Sequence, residues 1–153
     1  MGLNPYFHND VFISNTLAKS ASLIEIKNVV THIHFYGAGC SSQHHNDIME
    51  LGLQNFFSNA EITVDHDLMA CALASYKKEP IISCILGTGS NSCYYDGFEL
   101  KSGHPSMGFI VGDEASGSYF GKILLHAYFL KLLPKDLSLE FEKSYDLSHL
   151  EFT

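Results

Sequence analysis

The apolar positions of the chain before Pro80 alternate between a helical spacing and an extended one. Apolar residues three or four positions apart indicate helices with one buried face, and runs of β-branched and aromatic residues indicate strands. The predicted elements are a helix from Asn9 or Asp10 to Leu23, a strand over residues 29–36, a helix from Ser41 or Ser42 to about Phe57, a strand over residues 61–65 and a helix over residues 68–76. This order is typical of an open α/β sheet.

The pattern changes after Pro80, where short strands replace the alternation of helices and strands. The predicted strands cover residues 81–86, 92–95 and 98–102, with Asp96-Gly97 as the hairpin turn between the last two. A long apolar helix is predicted from about Ser116 to Leu133, closed by Pro134. The mixed tail that follows has room for one more helix.

The first half supplies two strands in total, which is fewer than an open α/β sheet needs around its central pair. We therefore expect an incomplete sheet, with exposed strand edges near residues 29–36 or 61–65. Proteins normally avoid such edges, so we expect the chain to be the middle of a larger enzyme.

Composition limits the partners that the chain can take. It has 153 residues, of which 46% are hydrophobic, so a packed core is expected. The 9 basic residues are all Lys, and with 17 acidic residues they give a net charge of −8, which disfavours nucleic acid and anionic membranes as partners. Because Arg is absent, phosphate must be held by backbone amides, hydroxyl groups, helix N-termini and a metal ion. Neither a signal peptide nor a membrane-spanning run is visible, so we expect a cytoplasmic protein.

The cysteines and histidines do not form a recognisable metal motif. Cys40, Cys71, Cys84 and Cys93 are never closer than nine residues apart, so zinc-ribbon and paired-redox motifs are absent. No pair of histidines has the helical spacing with a nearby carboxylate that zinc motifs use. We expect reduced thiols packed in or near a core, and no metal site built from these residues.

The most informative stretch follows the predicted strand over residues 81–86. There Gly87-Thr88-Gly89-Ser90 forms a turn whose backbone amides and hydroxyl groups make a nest for anionic oxygens, and whose glycines let a ligand approach closely. Further along, Gly112-Asp113-Glu114-Ala115-Ser116-Gly117 places an acidic pair in a glycine-flanked loop before a helix. A phosphate-binding loop and an acidic loop together indicate phosphoryl transfer.

These motifs belong to a larger set of segments, which cover residues 2–7, 36–40, 62–65, 85–92 and 108–117. In their order and spacing the chain resembles sugar kinases of the actin-like ATPase superfamily, and specifically the N-acetylglucosamine kinase branch grouped with the BadF/BadG/BcrA/BcrD-type ATPases. The resemblance runs from Gly2 to about His126. Its specific part is the pair of motifs Gly-Thr-Gly-Ser-Asn and Gly-Asp-Glu-x-Ser.

The resemblance implies an α/β fold of the ribonuclease H-like, actin/hexokinase type. Residues 1–78 would form an incomplete N-terminal lobe, and residues 79–153 the beginning of the C-terminal lobe. It implies an ATP-dependent kinase that uses Mg²⁺ and phosphorylates N-acetylglucosamine or a related amino sugar, with this chain inactive by itself. It also leaves a homodimer open, as in the family.

The resemblance assigns roles to particular residues. Asp65 matches the general base, which suits a carboxylate at the carboxyl end of a strand, where open α/β sheets bind ligands. The residues that match the loop around the terminal phosphates are Gly87, Thr88, Gly89 and Ser90. The residues that match sugar-binding positions are Asn4, Ser106, Gly108 and Asp113.

The chain also departs from the family pattern. The Asp-x-Gly-x-Thr phosphate loop that opens the family's chains is absent, and the adenosine-binding glycine segment would lie beyond Thr153. Ala115 stands where a glycine is more usual, and His66-Asp67 stand where small residues are common.

Several alternatives stay open. The chain could be an activator-type ATPase of a 2-hydroxyacyl-CoA dehydratase system, or a truncated sugar-binding remnant without catalysis. Asp65 could instead cap the following helix, and Asn4 could serve only as a turn residue before Pro5. Asp113 and Glu114 could form a plain solvated loop.

Overall fold

The computed structural model of this protein describes residues 2–103 and 105–146. Its contacts group the chain into two compact units. The first comprises Met1–Cys84 and Ser92–Gly103, and the second comprises Ile85–Asn91 and His104–Thr153. The lobe boundary expected after residue 78 stays a prediction from the resemblance.

The first unit begins with the predicted alternation of helices and strands. Its elements are α1 (Asp10–Leu17), α2 (Ala21–Ile26), β1 (His32–Gly37), α3 (Gln43–Gln54), β2 (Glu61–His66) and α4 (Asp67–Ser75). The expected caps are confirmed, because the Asn9 side chain accepts from the Phe12 amide and the Ser42 side chain accepts from the His45 amide.

Before Pro80, the predicted end of the first helix and the predicted start of the first strand are wrong. The single helix expected through Leu23 ends at Leu17, and Ser20 with extended backbone begins a separate helix α2. The strand expected from residue 29 begins at His32, because the amides of Val29 and Val30 still donate to the Ile26 carbonyl oxygen at the end of α2.

β1 and β2 form a parallel two-stranded sheet. Their register pairs His32 with Glu61 and continues to Gly37 with His66, so the carboxyl ends of the two strands lie side by side. Within the described part of the chain, each of these strands has the other as its single strand partner. The loops that follow β1 and β2 therefore begin at one common edge.

The core of the first unit lies between this sheet and helices α1 and α3. Its buried centre consists of Ile13, Cys40, Met49 and Leu53. α1 and α3 pack closely at Gly52, where an added Cβ atom would lie 2.7 Å from Ile13 Cβ. Glycine in the last turn of α3 thus allows a separation that a larger residue would prevent.

The predicted strand meander after Pro80 is present, but two of its bounds are wrong. The strand expected over residues 98–102 is limited to Leu100–Lys101, and the strand expected from residue 92 begins at Ser90. β3 (Ile81–Leu86), β4 (Ser90–Tyr95) and β5 (Leu100–Lys101) form a sheet in that order, with β4 and β5 antiparallel. The Asp96-Gly97 turn is confirmed, since Asp96 Oδ1 accepts from the amides of Phe98 and Glu99, and Gly97 has a φ of 99°. The hydrogen bonds from Glu99 and then Phe98 lower the pKa of Asp96.

The second unit contains the remaining helices, α5 (Gly108–Val111), α6 (Gly117–Phe129) and α7 (Lys135–Ser144). α6 ends before the predicted Leu133 because Lys131 adopts a φ of 56° and the Leu132 amide turns back to Ala127. α7 is the further helix that the tail has room for, and the part of that prediction beyond Asp146 lies outside the described residues. No helix of residues 2–103 and 105–146 combines the length and apolar character that crossing a bilayer requires.

Candidate functional site

Gly87, Thr88 and Gly89 connect β3 to β4 and form the candidate phosphate loop. The Gly87 amide donates to the Gly89 carbonyl oxygen at 2.9 Å, which closes the turn on itself. The amides of Thr88 and Gly89 have no acceptor within the described residues. Thr88 is exposed and Gly89 is half-buried. Two adjacent amides without an internal acceptor are donors that an anionic oxygen can use.

The N-terminus of α6 holds this loop in place. The Gly117 amide donates to the Gly87 carbonyl oxygen at 2.8 Å, and the Ser118 amide donates to the Thr88 carbonyl oxygen at 3.2 Å. A Cβ atom at Gly117 would lie 3.3 Å from Gly87 O, so glycine permits this approach. Gly117 and Ser118 are not among the site residues predicted from the sequence. The signal that could have indicated them is Ser-Gly-Ser at the start of a predicted helix, whose first amides are free to bind a loop.

Asp113 lies directly against the loop. Its Oδ1 accepts a hydrogen bond from the Ser90 amide at 3.1 Å. A Cβ atom at Gly89 would lie 3.0 Å from each carboxylate oxygen, so the absence of a side chain at Gly89 is what admits the carboxylate. The sugar contact expected of Asp113 stays a prediction, while its hydrogen bond to Ser90 excludes the interpretation of residue 113 as part of a plain solvated loop.

The loop that carries Asp113 has an unusual backbone. Asp113 and Ala115 have φ values of 60° and 61°, in the left-handed region that favours glycine. Left-handed backbone costs an ordinary residue about 1–2 kcal/mol, which explains why a glycine would suit position 115. The following Ser116 is fully buried and its side chain accepts from the Tyr119 amide, so the loop ends in a firm helix cap.

The groups at this loop fit the terminal phosphates of a nucleotide. The Thr88 and Gly89 amides can donate to phosphate oxygens, and the Thr88 hydroxyl group stands on the same turn. Mg²⁺ is usually held by one or two carboxylates together with phosphate oxygens, and Asp113 offers a carboxylate here. Within the described ranges, no three His, Cys, Asp or Glu side chains are grouped to hold a metal ion by themselves. A magnesium ion would therefore depend on the nucleotide's own oxygens.

Ser106 and Gly108 lie on the segment that leads into α5. Gly108 has a φ of 64° and its carbonyl oxygen accepts from the Gly112 amide at 2.9 Å, which closes the short helix. The Lys122 ammonium group of α6 donates to the Phe109 carbonyl oxygen and lies 4.4 Å from the centre of the Phe109 ring. The described contacts do not join Ser106 or Gly108 to the phosphate loop, and their expected roles stay predictions.

In the first unit, Asp65 lies near the carboxyl end of β2, as predicted. Its Oδ1 accepts from the adjacent His66 amide at 2.7 Å and lies 3.6 Å from His66 Nε2. The Asp65 side chain is 35% exposed, so a ligand can reach it. The alternative that Asp65 caps α4 is wrong, because the N-cap residue is His66 and has no side-chain cap bond. The contact with the His66 ring is a feature that sequence reasoning did not predict.

Asn4 precedes β1 in the sequence, and in the fold it lies against the turn that follows β1, at Gly39. Its Oδ1 accepts from the Tyr6 amide at 2.9 Å, so Asn4 does shape the turn around Pro5. The same oxygen fills the space beside Gly39, whose φ is 89° and which has no side chain to exclude it. The Asn4 side-chain amide nitrogen has no acceptor in the part of the chain described, which leaves it able to donate to a ligand.

A buried thiol lies close to these residues. Cys40 is 1% exposed and belongs to the core beneath the turn after β1. Burial raises the pKa of the Cys40 thiol, and the negative charges of Asp67 and then Asp65 raise it further. The carboxyl ends of β1 and β2 thus bring together the predicted base, the turn of Asn4 and an uncharged thiol.

The other three cysteines gather in the first unit, which their spacing did not predict. Cys71 Sγ donates to the Cys84 carbonyl oxygen at 3.8 Å, and all three thiols are free. Burial raises the pKa of the Cys93 thiol, a hydrogen bond with the Ser83 backbone lowers it, and the neighbouring Cys71 and Cys84 raise it.

Comparison with known proteins is informative among the solved structures. No protein-family model and no curated protein matches the chain. Among solved structures, the chain is similar to the putative N-acetylglucosamine kinase from Porphyromonas gingivalis, with a TM-score of 0.84 and 31% sequence identity. The similarity covers 94% of this chain and 52% of that protein, so the chain spans about half of its length.

This likeness confirms the sequence-based expectation at a coarse level. The chain is a mixed α/β protein whose structural relative is a sugar kinase by name, as the resemblance implied. Membership of the BadF/BadG/BcrA/BcrD branch and the arrangement of lobes stay predictions.

Proposed function

We propose that this chain carries the phosphate loop and the general base of an ATP-dependent sugar kinase that acts on N-acetylglucosamine or a related amino sugar. The observation that carries the proposal is the Gly87–Gly89 turn, with two amides free of internal acceptors and its carbonyl oxygens held by α6. The likeness to the Porphyromonas gingivalis protein, at 31% identity over 94% of this chain, supports the sugar and the reaction class.

In this proposal the loop binds the terminal phosphates of ATP. Backbone amides suit that task because the chain has no arginine, and their direction is fixed by the hydrogen bonds that Gly87 and Thr88 accept from α6. Mg²⁺ bound with the nucleotide would offset phosphate charge near Asp113. The cytoplasm is the compartment in which we expect such an enzyme.

Asp65 is the proposed general base. A base must accept the proton of the sugar hydroxyl group as that oxygen attacks the terminal phosphorus, and a half-exposed carboxylate at a strand end can do so. The nearby Asn4 amide nitrogen, free of an internal acceptor, is proposed to donate to a sugar hydroxyl group. The His66 amide, which donates to Asp65 Oδ1, fixes the direction of the carboxylate.

The test compares Asp65→Asn with Asp67→Asn, which removes the same charge two residues away. Asp67 Oδ1 bonds the Leu68 amide and has no proposed catalytic role. Binding of N-acetylglucosamine and of Mg²⁺-ATP is measured by calorimetry, and ADP formation is measured with and without the sugar. We expect Asp65→Asn to bind the sugar as the unchanged chain does. Any sugar-dependent ADP formation by the unchanged chain, which would show the expectation of an inactive chain to be wrong, should fall about 10²–10⁴-fold in Asp65→Asn.

The outcomes separate the functions under discussion. Sugar-dependent turnover that survives in Asp65→Asn would exclude Asp65 as the base. Sugar binding without ADP formation in any variant would favour the sugar-binding remnant. If neither ligand binds, the proposal of a sugar kinase fails for this chain.

A further inference from the structure

The Asp113 carboxylate lies against the phosphate loop and is bonded to one of its backbone amides. It accepts from the Ser90 amide at 3.1 Å and lies against Gly89, where a Cβ atom would be 3.0 Å from both of its oxygens. Ser90 is one of the residues expected to bind phosphate. One of the loop's donors is thus already bound to a negative group of the protein itself.

The surroundings do not neutralise this carboxylate. The described residues show no ion pair to Asp113, and the Lys122 ammonium group of the same unit instead bonds the Phe109 carbonyl oxygen. The chain has no arginine and a net charge of −8. A phosphate that enters the loop therefore meets an uncompensated like charge at short range.

We infer that Asp113 is an internal ligand of the phosphate loop, which competes with nucleotide phosphate and makes the loop reject a nucleotide that lacks its divalent cation. This inference rests on the proposed function, because it assumes that Gly87, Thr88, Gly89 and Ser90 receive phosphate. It adds a selectivity role for Asp113, distinct from the sugar contact expected from the sequence. A divalent cation carried by the nucleotide would offset phosphate charge and so lower the repulsion from Asp113, which would admit the nucleotide with its cation.

The experiment measures ATP binding to the full 153-residue chain by calorimetry. Each variant is titrated once with ATP and EDTA, and once with ATP and Mg²⁺. Asp113→Asn removes the charge but keeps an oxygen that can accept from the Ser90 amide, so the loop should keep its shape. Glu114→Gln is the matched control, since it removes the same charge from the next residue of the same loop.

We expect Asp113→Asn to bind metal-free ATP about tenfold more tightly than the unchanged chain, or more. The repulsion between two like charges in contact near a protein surface exceeds the free energy that corresponds to a tenfold change in affinity. In Mg²⁺ the gain should shrink to about threefold or less, since a cation bound to the phosphates offsets their charge. Glu114→Gln should change either affinity by less than about twofold, as expected for an exposed charge.

The results that would overturn the inference differ from those that would overturn the proposed function. If ATP binds but Asp113→Asn shows no gain without Mg²⁺, or if Glu114→Gln gains equally, Asp113 is not an internal ligand and the kinase proposal stands. If ATP binds to no variant under either condition, nucleotide binding by this loop is wrong and both proposals fail.

Discussion

The close packing of α1 on α3 allows a stability prediction at one position, Gly52. Replacing it with alanine adds a single methyl group in the last turn of α3. A Cβ atom there would lie 2.7 Å from Ile13 Cβ, 2.8 Å from Ile13 Cγ2 and 3.0 Å from the Asp10 carbonyl oxygen. Ile13 is fully buried, so its side chain has little room to move away.

Two effects of opposite sign decide the result. Alanine favours a helix interior over glycine by about 0.8–1 kcal/mol, and Gly52 in the last turn of α3 gains at most that amount. Apolar carbons pack at about 3.5–4.0 Å, so the new methyl group would overlap Ile13, and such overpacking costs about 1–3 kcal/mol. The Asp10 carbonyl oxygen belongs to the backbone and cannot rotate aside. We therefore expect Gly52→Ala to destabilise the protein by about 1 kcal/mol net.

Gly121→Ala in α6 is the matched control, because nothing lies within 4 Å of its added Cβ atom. Gly121→Ala should stabilise the protein by the higher helix propensity of alanine alone, about 0.8–1 kcal/mol. For a chain of this size 1 kcal/mol corresponds to about 2–4 °C in the unfolding midpoint, so circular dichroism during heating resolves the pair. If Gly52→Ala raises the midpoint as much as Gly121→Ala does, the close contact between α1 and α3 is wrong.

Three further predictions concern single residues. Ala115→Gly should stabilise by about 0.5–1 kcal/mol, since it relieves a φ of 61° at some cost in unfolded-chain entropy; a lower urea midpoint would contradict this. Iodoacetamide at neutral pH should alkylate exposed Cys84 before Cys40 and Cys93, because these two thiols are buried and burial raises their pKa. Mass spectrometry gives the order of modification, and early modification of Cys40 would contradict the prediction. The lowered pKa of Asp96 gives stability that is present above the ordinary aspartate pKa and is lost as the pH falls through the folded-state value. Asp96→Asn should therefore flatten the acid side of the curve of unfolding free energy against pH. An unchanged acid side would refute this.

Local signals in the sequence were sufficient for much of the fold. The caps Asn9 and Ser42, the turn at Asp96-Gly97 and the strand that leads into Gly87 each depend on residues within a few positions, and all are present. One error arose where a helix end and a strand start compete for the same backbone amides. Val29 has the β-branched side chain of a strand residue, yet its amide donates to the Ile26 carbonyl oxygen in the turn that follows α2.

The candidate site was harder to predict because its contacts join distant parts of the chain. The sequence indicates a phosphate loop and an acidic loop separately, but the hydrogen bond from the Ser90 amide to Asp113 depends on how the second unit folds. The same holds for the α6 amides that bind the loop and for the gathering of Cys71, Cys84 and Cys93. A departure from the family pattern did carry structural information, since Ala115 proves to have left-handed backbone.

Binding of phosphate by the Thr88 and Gly89 amides is best measured by nuclear magnetic resonance of the ¹⁵N-labelled chain during titration with Mg²⁺-ATP. The amides of Thr88 and Gly89 should shift progressively and saturate, because they are the loop donors without an internal acceptor. The Gly97 amide, in a glycine turn with no proposed ligand, serves as the internal control and should stay unchanged. If Thr88 and Gly89 do not move at saturating nucleotide, or move no more than Gly97, this loop does not bind phosphate and the proposed kinase chemistry loses its basis.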